Sequence, residues 1–183
     1  MHRQIRQFLG RVRHRLPQYF ERIKVLDCGS LDVNGTNNGH FKDCVYFGVD
    51  VGAGPNVDYV SKVHEFTVFP DGYFDTVLST DMLEHDMHWY KSLCHMVDLV
   101  RSGGLFLMTC AGRGRGEHGT VRSSAASSPA TVKISGWCDY YRNLEVQDIR
   151  TILALESVFQ EYEISEVYTH SWGADLQLWG IKR

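Results

Sequence analysis

Ile23-Lys24-Val25-Leu26-Asp27-Cys28-Gly29-Ser30, followed by Gly35 and then by Val45-Tyr46-Phe47-Gly48-Val49-Asp50, is the stretch that decides the fold. The short apolar run at 23–26, bounded by turn residues, reads as a buried strand, and 45–49 reads as a second one ending on Asp50. A glycine turn at the carboxyl end of one strand, with an acid at the end of the next, describes a nucleoside site. The glycine lets backbone approach the ligand, and the acid accepts hydrogen bonds from ribose hydroxyls. A dinucleotide fingerprint would need three glycines, G-x-G-x-x-G, but here only Gly29 and Gly35 are present and Asp27 takes the first position. A carboxylate there repels a pyrophosphate and suits a ligand carrying an amino group and a sulfonium cation.

Upstream, Ile5, Phe8, Leu9, Val12 and Leu16 follow helical spacing with arginines between them, and Pro17 should end that helix. The spacing predicts a basic amphipathic lead-in helix within residues 1–22, packed on the sheet edge or lidding the site, ahead of a domain at 23–183. Downstream, Thr36-Asn37-Asn38-Gly39 is a poor helix former, so the helix after the first strand should be short or replaced by a loop. Strands are expected at 57–60, 74–80 and 105–109, with a helix at 89–100. Periodicity then disappears over 110–136, a glycine- and serine-rich stretch with the length of a lid or binding loop. Asn143 is placed to cap a helix carrying Leu144, Ile149, Ile152, Leu153 and Leu155, and strands at 162–169 and 176–181 finish the chain. Strands alternating with helices, then a terminal strand pair, predict a doubly wound α/β sheet.

At 183 residues, with 43% hydrophobic and 22% charged content, the chain suits one soluble globular domain. No apolar run reaches the roughly 18 residues of a membrane span, and the basic N-terminus lacks the apolar run of a secretory signal. Five cysteines without C-x-x-C spacing point to free thiols in a reducing, cytoplasmic setting and argue against structural zinc. The net charge of −3 conceals an asymmetry. Residues 1–24 hold seven basic side chains against Glu21 alone, so the remainder is strongly acidic. The bland account of the basic end is a solvated helix face.

The spacing Asp27-x-Gly29, Gly35 and Asp50 resembles motifs I and II of the class I S-adenosylmethionine-dependent methyltransferases. The run Phe74-Asp75-Thr76-Val77-Leu78-Ser79-Thr80-Asp81-Met82-Leu83-Glu84-His85 is similar to the family's motif IV. Arg101-Ser102-Gly103-Gly104 stands where the family writes L-x-P-G-G. The later segments 112–120, 140–144 and 175–182 look like a group of small bacterial members often associated with surface-glycan biosynthesis. The resemblance implies a mostly parallel seven-stranded sheet with helices on both faces, closed by one antiparallel strand. It also implies S-adenosylmethionine as cofactor, S-adenosylhomocysteine as product, and a small-molecule or glycan acceptor. Asp27, Gly29, Ser30, Gly35, Asp50 and Val51 would bind the cofactor, with Thr80 and Asp81 from the fourth strand. Lys62 and Val63 fall where the family's adenine loop lies; Lys62 cannot accept a hydrogen bond, so backbone near Val63 would read the base.

For the chemistry, an imidazole suits proton removal from a hydroxyl, which makes His118 the first catalytic candidate and His85, beside Glu84, the second. Tyr140, Tyr141 and Arg142 could line the acceptor pocket, with aromatics for sugar faces and a guanidinium for an anion. Asp81, His85 and His88 would share one face if 81–88 were helical, but motif IV already accounts for the first two, and no metal site is expected. Trp89, Trp137, Trp172 and Trp179 are read as core or rim. With no N-P-P-[YF] motif after the fourth strand, transfer to oxygen is preferred over transfer to amide or base nitrogen. Two other functions remain open: a nucleotide-dependent oxidoreductase, disfavoured by Asp27, and a non-catalytic cofactor- or nucleic-acid-binding module using the basic helix. The loop at 110–136 is expected to be mobile without ligand and to close over the site, bringing His118 to the acceptor.

Overall fold

The computed structural model describes residues 3–169 and 173–183, so Trp172 lies outside the described residues. Seven strands form one sheet: β1 (Lys24–Cys28), β2 (Val45–Asp50), β3 (Tyr59–Val60), β4 (Phe74–Thr80), β5 (Val100–Ala111), β6 (Phe159–Thr169) and β7 (Gly173–Lys182). Their order is β3-β2-β1-β4-β5-β7-β6. The first five run parallel, and β7 is antiparallel to both β5 and β6. This is the doubly wound arrangement, with strand order reversing direction beside β1, where the carboxyl ends of β1 and β4 diverge into loops.

Alternation along the central strands assigns each side chain to a face. Leu105 and Leu107 of β5, with Trp179 and Ile181 of β7, point to one side; Phe106 and Met108, with Leu176 and Leu178, point to the other. On the first side lies α1 (Arg3–Arg15), whose Ile5, Phe8, Leu9 and Val12 are buried against Val25, Leu78 and the residues just named. The lead-in helix thus packs across a sheet face rather than at its edge, because its apolar stripe is wide enough to cover four strands. It stops before Pro17, which opens a short 3-10 turn at Pro17–Tyr19. On the opposite side lie α2 (Trp89–Leu99), α3 (Val146–Ile152) and α4 (Leu155–Val158). Trp89, Trp137 and Trp179 are all buried.

Several local expectations are corrected. Asn143 does not cap a helix; its Nδ2 donates to the Arg115 carbonyl at 2.9 Å. The cap is Glu145, whose backbone N–H donates to Asp148 at 2.9 Å, and the predicted single helix splits into α3 and α4. β5 begins five residues earlier than the apolar run suggests, since Val100 already pairs with Phe74 across a bulge. Lys182 donates to the carbonyls of Val97, Asp98 and Val100 at 2.8–3.0 Å, satisfying the C-terminal end of α2. Residues 81–88 are not an α-helix. Asp81 has φ of 51° and only a 3-10 turn at Leu83–His85 follows, so Asp81, His85 and His88 share no helical face.

The stretch at 110–136 begins as the end of β5 and then folds on itself. Glu117 accepts from the Thr120 hydroxyl at 2.6 Å and from Arg122 at 3.0 Å, Arg122 continues to Asp139, and short 3-10 turns form at Ala125–Ser127 and Thr131–Lys133. Polar bonds rather than apolar burial shape it, which is why hydrophobic periodicity gave no sign of its structure. No helix is long and apolar enough to cross a membrane among the described residues. All five cysteines are free thiols.

Candidate active site

A cleft of about 600 Å³ opens at the carboxyl ends of β1, β2 and β4, roofed by residues 114–131. Asp27 and Gly29 enter it from the end of β1, Asp50 and Val51 from the end of β2, and Thr80 and Asp81 from the end of β4. Ser30, Gly35 and Val63 complete the side facing the first strands. Gly29 has φ of +82°, and a Cβ there would stand 2.6 Å from that of Met82, so only glycine makes this turn beside the motif IV loop.

Asp27 is buried, and its two oxygens are held by partners that sequence reasoning missed. Asn37 Nδ2 lies 3.2 and 3.1 Å from them and 3.0 Å from Thr80 Oγ1, while the Tyr46 hydroxyl donates to Oδ2 at 2.6 Å. Burial pushes the carboxyl up to about 6, against the opposing pull of the Tyr46 and Asn37 bonds. Asn37 belongs to the run read only as a helix breaker; a buried acid one strand away was the available clue to its role. Asp50 accepts from the backbone N–H of Leu31 at 3.2 Å and of Gly52 at 3.0 Å. Burial also raises Asp50, and those N–H groups oppose the rise. The hydroxyl of Ser30 is buried on the cleft wall with no partner, an orphan donor that a polar ligand would satisfy.

At the other end of the cleft, His85 and His118 face one another with ring centroids 5.1 Å apart, and Tyr141 packs 5.6 Å from the first and 5.0 Å from the second. Gly119, at φ of +67°, permits this approach, since a Cβ there would lie 2.6 Å from His85 Cε1. His118 Nδ1 lies 3.0 Å from the Gly116 carbonyl, which can only accept. That nitrogen therefore carries the proton, and Nε2 presents the lone pair. His85 is pushed down to about 3 by burial and then by His118, so it is neutral at pH 7. Beneath them Glu84 is fully buried, its Oε1 accepting from the Ala111 N–H at 3.1 Å. Burial first, and then the charge of Asp81, pushes Glu84 up to about 8. One donor atom each from Glu84, His85 and His118 lie within 4.8 Å of one another, a grouping able to hold a metal ion. Glu84 was quoted in the sequence only as part of a motif; its place beside His85 in an otherwise apolar turn was the available signal.

Four predicted site residues stand elsewhere. Lys62 turns away from the cleft to pair with Glu65 at 3.0 Å, leaving its neighbours Ser61 and Val63 on the wall. Arg142 is committed to Asp148 at 2.6 Å and lies over the Trp89 ring, so it presents no guanidinium to an anion in the cleft. Tyr140 does not line the cleft, and Tyr141 supports the two histidines from behind. Instead the roof contributes Ser124, Ser127, Ser128 and Thr131, with Trp137 beside them.

A family model described as a methyltransferase domain matches residues 43–108, about a third of the chain. No curated protein matches it in sequence. Among solved structures, 1,6-didemethyltoxoflavin-N1-methyltransferase from Burkholderia thailandensis, bound to its acceptor and S-adenosylhomocysteine, is similar at TM-score 0.65 and 17% identity, covering 97% of this chain and 77% of that one. Phosphoethanolamine N-methyltransferase 2 from Haemonchus contortus, with phosphomonomethylethanolamine and S-adenosylhomocysteine, gives 0.63 and 17%, covering 97% and 52%. Magnesium protoporphyrin IX methyltransferase from Synechocystis, with bound S-adenosylmethionine, gives 0.61 and 13%, covering 97% and 79%. The chain spans about three quarters of the first of these and about half of the second. Such identities speak to architecture alone, and by its architecture this chain is a protein of the class I, Rossmann-like methyltransferase fold.

Proposed function

We propose that the protein is an S-adenosylmethionine-dependent methyltransferase acting on oxygen of a small-molecule or glycan acceptor in the cytoplasm. The observation that carries this reading is the convergence of Asp27 and Asp50, from adjacent parallel strands, on one cleft. Two carboxylates suit a ligand with a cationic end and a ribose, and they disfavour the pyrophosphate of a nicotinamide dinucleotide.

When bound, S-adenosylmethionine supplies a methyl group carried on a sulfonium sulfur. Asp50 accepts from ribose hydroxyls, and its own orientation is fixed by the Leu31 and Gly52 amides. Asp27, steadied by Asn37 and Tyr46, faces the cationic end. Backbone at Ser61 and Val63 meets the base, while Lys62 keeps its ammonium outside. The serine-rich roof provides hydroxyls for a polyhydroxylated acceptor. The acceptor oxygen is activated at the histidine end, where His118 Nε2 offers a lone pair and Tyr141 packs behind both rings. Holding an acceptor in line lowers the barrier by roughly 7–11 kcal/mol, and a positioned base adds typically 10²–10⁴-fold.

Calorimetric titration with S-adenosylmethionine and with NAD tests the reading. Binding of the first and not the second is expected; tighter binding of NAD would overturn it. The alternative of a nucleic-acid-binding module is separated by its own titration: nucleic-acid binding that weakens steeply with salt, without cofactor binding, would favour it.

A further inference from the structure

We infer that Glu84, His85 and His118 form a binding site for a divalent transition-metal ion of zinc type at the acceptor end of the cleft. Three features converge on it. The donor set is one carboxylate and two imidazoles, the two-histidine, one-glutamate set of catalytic zinc sites, which leave a fourth position open. The donor atoms lie within 4.8 Å of one another. Ligands of a tetrahedral zinc ion stand about 3.3 Å apart, so each side chain closes by about 1 Å or less on binding.

Two of those side chains, moreover, present buried atoms with nothing to bond. Glu84 Oε2 and His85 Nδ1 have no hydrogen-bond partner, although Glu84 is fully buried and His85 is 5% exposed. Buried polar atoms are overwhelmingly paired in folded proteins, and two orphans on adjacent residues facing a third ligand mark a place where something binds. Finally, on two of the three residues the atom turned away from the ion is held by backbone. His118 Nδ1–H donates to the Gly116 carbonyl, and Glu84 Oε1 accepts from the Ala111 amide. This outer support, fixing tautomer and carboxylate orientation, accompanies metal ligands as a rule. Arg115, whose charge is felt at Glu84, is held in a buried ion pair with Asp175. Asp81, on the same cleft wall, adds further negative charge.

If the methyltransferase reading holds, on which this last step rests, the open position faces the acceptor. A hydroxyl bound there would be more acidic because the ion stabilises the alkoxide. Its proton would pass to water, and the alkoxide oxygen would form its new bond to the methyl carbon as the carbon–sulfur bond of the sulfonium breaks, leaving the neutral thioether. His118 would then act as a ligand, and the ion would do the work otherwise assigned to a free imidazole.

The test is titration of chelator-stripped protein with Zn²⁺ alone, by calorimetry with a competing chelator, and with Co²⁺ followed by its visible d–d absorption. One ion per chain is expected, with affinity reduced at least ~100-fold in His118→Ala, a partly exposed loop position whose loss does not threaten the core. Glu84→Gln, checked for an unchanged melting profile, should show the same loss. No Zn²⁺ or Co²⁺ binding to the unmodified protein, or equal stoichiometry and affinity in His118→Ala, would overturn the proposal. S-adenosylmethionine is titrated into the same preparations without metal. Metal binding with no cofactor binding would sink the functional reading only, and cofactor binding with no metal site would sink this inference only.

Discussion

Asp27 and His118 face the same cleft, yet the first ends a central strand and the second rides on a loop. Asp27 is positioned by sheet pairing on both sides, to β2 and β4, and its oxygens are already engaged by Asn37 and Tyr46. His118 is positioned by one bond to the Gly116 carbonyl and by ring contacts with His85 and Tyr141. Around Asp27 and Asp50 the carboxylates have their donors; around His118, Glu84 Oε2, His85 Nδ1 and the Tyr141 hydroxyl have none. At one end the two carboxylates are held before anything binds and the Ser30 hydroxyl is left to the ligand; at the other, three buried polar atoms lack a partner. Preorganisation by strands suits a ligand common to many reactions, while a loop-built end suits an acceptor that differs from enzyme to enzyme.

The sharpest way to break this contrast is His118→Ala. Turnover should fall by about 10²-fold or more while cofactor affinity stays nearly unchanged, as read by steady-state kinetics beside calorimetry. A matching loss of cofactor affinity would mean that the two ends are not separable. Asp50→Ala attacks the other end. It should cost about 1.5–3 kcal/mol of cofactor affinity, the worth of hydrogen bonds to a charged group, with turnover at saturating cofactor much less affected. Unchanged affinity would remove Asp50 from the binding site.

Asp27 gives a pH signature. Its carboxyl is raised from 3.8 to about 6 in the native protein, so it is ionised above that range and neutral below it. Affinity for a cationic ligand should therefore level off above pH 6 and fall below it, by up to about tenfold per pH unit. The stability effect has the opposite sense. The native state holds this proton longer than the unfolded chain, so the contribution of Asp27 to stability declines as pH rises from 3.8 to about 6 and is level beyond. Asp27→Asn should remove both contributions, read as the difference between the two proteins in calorimetric titration and in denaturant melts across that range, since Asp50, Glu84 and His85 titrate in both. The smallest effect is expected at Lys62→Ala. Its ammonium lies outside the cleft in an exposed pair, so cofactor affinity and stability should each change by less than about 0.5 kcal/mol; a larger loss of affinity would put Lys62 back at the base.

The strands were legible because each is a short apolar run that meets a turn residue: β1 at Gly29, β2 at Asp50, β4 at Asp81. The sheet therefore followed from local pattern and resemblance together. β5 was read too short because Val100 pairs with Phe74 ahead of a bulge of polar and glycine residues, and the apolar run that pattern detects starts only where pairing resumes at Leu105. Asn37 and Tyr46 were missed as supports of Asp27, since a side-chain bond between elements leaves no periodic trace. Whether residues 81–88 were helical was left open by the spacing, since the positive φ at Asp81, which rules it out, has no signature in an aspartate. Arg142 looked free to bind an anion because its partner Asp148 lies on the next helix and serves that helix's cap.

The insertion of β7 between β5 and β6 bears on how the chain is made. Leu105 waits for Ile181 and Ala111 for Asp175, so during synthesis, at ~5–20 residues per second, β5 stands as an open sheet edge for several seconds. Unpaired edges recruit other chains. α1, made before β5, packs with Leu105 and Leu107 on one face of the sheet, and Trp179 and Ile181 of β7 join the same cluster. The apolar surface on which Trp179 and Ile181 dock is thus supplied by elements, α1 and β5, that precede β7 in the chain.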